Sequence, residues 1–109
     1  MRAKPALRRV TGAERRFSVS LAVNEVTMLA ASDELAAATR DAMDWMAVNS
    51  CPDVDLGARV AQMLKICAEV ALTAQRAIFD PSADKEAIIG RLGALLAVID
   101  LHSQTLEDW

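Results

Sequence analysis

His102 is the only histidine of the chain, and it falls on a row Ile88, Leu92, Leu95, Ile99, His102, Leu106 whose spacing of three and four marks one face of a helix. An imidazole there could ligate a metal, carry a proton or act as a pH switch. No second ligand stands at helical spacing from it, so a seam residue near a helix end is the stronger reading. Cys51 and Cys67 have the right chemistry for zinc but no supporting spacing, and they are too few for a disulfide framework. Asp33, Glu34, Asp41 and Asp44 gather carboxylates on one segment, yet they lack the Glu-x-x-His or Glu-x-x-Glu pattern of carboxylate-bridged bundles. They read as a wet face, with Arg40 opposite Asp44 four residues on. No metal or cofactor is expected from these residues.

Two other groups invite a binding role. Arg59, Lys65, Glu69 and Arg76 interrupt a very apolar stretch, and together with His102 they form the candidate lining of a small-molecule or ion pocket. The strings Arg8-Arg9-Val10-Thr11 and Arg15-Arg16-Phe17-Ser18 place four arginines near the N-terminus, where they could dock a partner or be phosphorylated. Trp109 is a second docking candidate at the other end. Neutralising nucleic-acid phosphates through the arginines is physically sound, but apart from Phe17 no aromatic is at hand to stack on bases. Enzyme chemistry is the weakest reading. The chain has no nucleophile–base constellation, no glycine-rich phosphate loop and no HExxH pattern.

The elements that must carry these residues are helical. Of 109 residues, 53% are hydrophobic, there is no tyrosine, and alanine is abundant, a composition that favours helix within one domain. The net charge of −3 hides an asymmetry: residues 1–16 carry Arg2, Lys4, Arg8, Arg9, Arg15 and Arg16 against Glu14 alone, while the remainder is acidic. With Pro5 and Gly12 in that segment, residues 1–16 read as a basic flexible arm and 17–109 as a single all-helical domain. Removing the arm is then expected to leave fold and assembly intact.

A first helical region runs from about Val19 to Val48. It is either one continuous helix, favoured by the absence of Gly and Pro, or two helices joined near Ser32, whose hydroxyl and following Asp33-Glu34 suit a helix start. The alternation over 17–23 also fits a short strand, though entry into a helix is preferred. A second helix begins at Asp53 or Asp55 and continues to Phe79, with Leu56, Val60, Met63, Cys67, Val70, Ala74 and Ala77 as its seam. Asp80-Pro81 stops it, and the same dipeptide is expected to cap a third helix starting near Ser82.

The expected fold is therefore a small antiparallel bundle of three long helices, with the 53–79/82–107 hairpin as its core and Cys67 opposite Leu95. Leu64, Ile66, Leu72, Ile78, Ile89, Leu96 and Leu101 exceed what one covering helix can bury, which predicts a homodimer. No apolar run is long enough for a membrane span, and neither a secretory core nor disulfide spacing is present, so a cytoplasmic protein is expected. The preferred function is non-enzymatic: a bundle acting through protein–protein interaction, as oligomerisation module or adaptor. The alternatives are a small-molecule- or ion-binding regulator and, third, a nucleic-acid accessory protein using the arginines.

Overall fold

The computed structural model describes residues 4–49, 51 and 53–101, and its regular structure is four α-helices: α1 (Lys4–Ser20), α2 (Glu25–Val48), α3 (Val54–Phe79) and α4 (Lys85–Leu101). The additional helix is α1, which occupies the segment expected to be a basic arm. Leu7, Val10, Ala13 and Phe17 recur at spacings of three and four on α1, and each is at most 1% exposed. Burying this stripe compensates the entropy of ordering the segment, a return that its charge density conceals. Pro5 lies in the first turn, where a missing N–H costs no helical hydrogen bond.

The chain reverses at 21–24, not at Ser32. Ala22 and Val23 donate to the carbonyls of Val19 and Ser20, closing the last turn of α1. Asn24 then caps α2, its side chain accepting from the Thr27 amide at 2.8 Å. Ser32 sits fully buried inside α2 with its hydroxyl donating to the Leu29 carbonyl at 2.8 Å, so the region after the turn is one continuous helix. The strand template over 17–23 yields to the end of α1 and this turn, and no strand occurs among the described residues.

The α3 boundaries match the sequence expectation. Asp53 accepts from the amides of Asp55 and Leu56 at 3.0 and 3.1 Å, the helix ends at Phe79, and all seven expected seam residues are buried. Gly57 lets the chain pass close to Cys51: a Cβ there would lie 3.2 Å from the Cβ of Cys51, a tight contact relieved only by a shift of a few tenths of an ångström. The start of α4 differs. Asp80 folds its carboxylate onto the Ser82 amide and hydroxyl at 2.9 and 2.7 Å, while Asp84 caps α4 by accepting from the Ala87 amide at 3.1 Å. Pro81 thus belongs to the turn and not to the first turn of a helix, and α4 begins three residues later than expected. The hydroxyl and then the amide of Ser82 hold the Asp80 carboxyl below its ordinary range.

Consecutive helices run antiparallel and pack side by side, α1 on α2, α2 on α3 and α3 on α4, and α4 touches α1 to complete an up-and-down bundle 45 × 21 × 19 Å in extent. Polar ties along each seam record the register. Arg9 pairs with Asp41 and Arg16 with Glu34, a step of two turns up α1 matched by two turns down α2. Gln75 donates to Asp33 at 2.6 Å between α2 and α3. Arg91 meets Glu69 at 3.2 Å between α3 and α4, close to the opposition expected for the hairpin, and Lys85 reaches Glu25. These exposed pairs fix alignment more than they add stability.

Candidate functional site

The feature most suggestive of function is the outer face of α4. This helix is apolar around its circumference: from Ala87 to Ile99 its sole charged residue is Arg91. Leu92, Leu96 and Ile99 fill the core, with Ile88 and Leu95 half-buried beside them. The opposite side has no neighbour among the described residues. Ile89, Val98 and Leu101 are 41%, 39% and 81% exposed, with Gly90, Gly93, Ala94 and Ala97 also exposed between them. A Cβ added at Gly90 or Gly93 would meet nothing within 4 Å, so neither glycine serves packing inside the bundle. Glycine costs helix stability, roughly 1 kcal/mol each relative to alanine. Two of them on an open apolar surface make a low, smooth strip that another helix can approach closely.

The extra helix narrows where the unburied surplus lies. With α1 in place, Leu64 and Leu96 are buried and Ile66 and Ile78 half-buried. Leu72, Ile89 and Leu101 remain exposed, the latter two on α4. The excess apolar surface inferred from sequence is real, but much of it is covered within the chain.

A second cluster lies inside the bundle and escapes sequence reasoning. Glu14 of α1 is 2% exposed, the sole buried carboxylate among the described residues. The Ser18 hydroxyl donates to its Oε1 at 3.3 Å, and Asp100 of α4 acts on its charge. Burial first, and then the hydrogen bond and charge of Asp100, push Glu14 up to about 7. The Cys67 thiol of α3 is pushed up to about 12, mainly by burial and then by the nearby Glu14 charge. The signal that could have revealed Glu14 is its spacing: it stands four residues after Val10 and three before Phe17, on the apolar stripe of α1.

The expected ligand lining is not assembled. Arg59, Lys65, Glu69 and Arg76 all lie exposed on α3, and Glu69 is engaged by Arg91. Arg76 borders a surface hollow with Leu29, Asp33, Gln75 and Phe79, without the other three. His102 lies outside the described residues, as does Trp109. Of the docking arginines, Arg9 and Arg16 are held by Asp41 and Glu34, so much of the N-terminal positive charge is spent on the acidic face of α2. Arg8 and Arg15 are exposed on α1.

A surface hollow of about 500 Å³ runs between the end of α1 and the start of α2, lined by Val19, Ala30 and Ala31 and rimmed by Arg15 and the Arg16–Glu34 pair. Among the described residues no group of three metal-ligating side chains converges, and no helix is long and apolar enough to cross a membrane. Comparison with known protein families, with curated proteins and with solved structures finds no match to this chain.

Proposed function

We propose that this four-helix bundle is a non-enzymatic interaction module that assembles through the outer face of α4, in the first instance with a second copy of itself. The observation that carries the reading is the pairing of exposed Ile89, Val98 and Leu101 with an open glycine–alanine strip on a helix already packed on its other side. Surface of this kind is stabilised by another apolar helix face. The charge pattern favours a second copy over a charged partner, because Arg91 is neutralised by Glu69 of the same chain. A neutral, self-complementary strip suits a two-fold interface in which α4 packs on its symmetry mate.

Size-exclusion chromatography with light scattering at micromolar concentration tests this directly. The full chain is expected to elute as a dimer, and Ala94→Glu and Val98→Asp, which place charges on the open side of α4, to give folded monomers with unchanged helical circular dichroism. A monomeric wild-type chain, or variants that still dimerise, would remove α4 as the assembly surface.

A further inference from the structure

A buried hydroxyl ordinarily finds an acceptor, and within a helix the usual one is a carbonyl of the preceding turn. Thr39 of α2 is 1% exposed, and its Oγ1 has no hydrogen-bond partner among the described residues. Ser32, buried on the same helix, does bond back to Leu29, so the omission is local to Thr39. Thr39 lines a hollow of about 320 Å³ whose walls come from α2 and α3 alone. We propose that this hollow binds a small amphiphilic carboxylate, an acid with a short apolar tail, whose carboxylate is held by Thr39 and Arg40.

The lining sets the chemistry of the ligand. The hollow exists because alanines stand at 36, 68 and 71, where longer side chains would fill the space between the two helices. Met43 of α2 and Leu72 of α3, the latter 46% exposed, supply further apolar surface for the tail. Arg40 is exposed at the rim and makes no ion pair among the described residues. Gln75, the remaining polar group, is already engaged by Asp33 at 2.6 Å. A hydroxyl proton and a guanidinium both donate, so the group they hold together is an acceptor, and the cation selects an anionic one.

One arginine answers one charge, and the exposed Asp33, Asp41 and Asp44 on the same helix disfavour a polyanion. An apolar cleft with a few convergent polar groups is the usual form of a small-molecule site, and this volume is at the lower end of the common range of about 300–1,000 Å³. Oγ1 has almost no accessible surface, so the carboxylate meets it through a rotation about χ1, and a threonine in a helix has two rotamers open to it. None of Arg59, Lys65, Glu69 and Arg76 lines this hollow, and α4 contributes nothing to it, so the site stands apart from assembly through that helix.

Titration of the full chain with sodium octanoate, followed by amide and methyl NMR, tests the site. Saturable shifts are expected at Thr39, Arg40, Ala68, Ala71 and Leu72, with octanol, which has the tail without the charge, binding about tenfold more weakly. Arg40→Gln should weaken octanoate binding by about tenfold. Thr39→Val, which keeps the shape of the side chain, should weaken it by about fivefold. Without octanoate that variant should melt no lower than the wild type, because no bond within the protein is lost. Shifts that fail to saturate or that centre on α4, octanol binding as tightly as octanoate, or a Thr39→Val chain melting below the wild type would overturn the assignment.

Discussion

Phe17→Ala is the substitution that decides whether the N-terminal segment is part of the core. The ring is 0% exposed, on the same stripe as Leu7, Val10 and Ala13, so its loss leaves a cavity between α1 and α2 that a bundle held in register by Arg9–Asp41 and Arg16–Glu34 cannot readily close. Truncating a buried phenylalanine costs about 3–5 kcal/mol. A domain of this size is stable by about 5–15 kcal/mol, so the variant loses a large share of its margin. With an unfolding entropy of about 2.1 cal/mol/K per residue, 109 residues convert that loss to a fall in Tm of roughly 13–22 °C. Urea titration and thermal melting followed by circular dichroism measure both quantities. Arg9→Ala is the control: it removes an exposed ion pair and should cost about 0.2–1 kcal/mol. A Phe17→Ala loss below about 1 kcal/mol, or one no larger than that of Arg9→Ala, would refute the packing of α1 and return residues 1–16 to the status of an arm.

Helix starts and thiols give two further expectations. Asn24→Ala removes the cap of α2 and should cost about 1 kcal/mol in a urea titration, whereas Ser32→Ala, inside the helix, should cost clearly less because alanine's higher helix propensity offsets the lost bond to Leu29. In a thiol-reagent assay on the native chain, half-buried Cys51 should react and Cys67 should stay silent until denaturant is added, since burial keeps its thiol protonated.

The parts of the fold legible in the sequence were those where local chemistry and tertiary packing agree. Asp53 begins α3 and Phe79 ends it because a capping carboxylate and a proline-restricted stop are local devices, and the α3 seam is buried as its spacing requires. Over residues 4–16 two sequence signals conflict, and the arm reading follows the wrong one. Arginine density argues for solvent, while Leu7, Val10, Ala13 and Phe17 argue for a core. The conflict resolves only when the acids of α2 are seen to receive two of the arginines. Ser32 misled for a similar reason: Ser-Asp-Glu is a sound helix start, but the same hydroxyl can bond back to its own helix. The turn at Asp80-Pro81 was located correctly, yet Asp84 competes as the cap and wins, shifting the start of α4. The influence of Asp100 on Glu14 links residues 86 positions apart, and no local pattern encodes it.

The arrangement of each helix against its successor also governs how the chain reaches this state. Most packing joins helices adjacent in sequence, and only the light α1–α4 seam and the Lys85–Glu25 tie between α4 and α2 bring distant parts of the chain together among the described residues. Loops of a few residues cost little entropy to close, so low contact order predicts folding in the microsecond-to-millisecond range typical of helical bundles. During synthesis the α1–α2 hairpin can form before α4 has left the ribosome, with its ion pairs already aligning the two helices. The last event is then the docking of α4, whose exposed glycines make it a weak helix on its own, and the rate of that final step sets how long the apolar side of α3 stays open to the wrong partner.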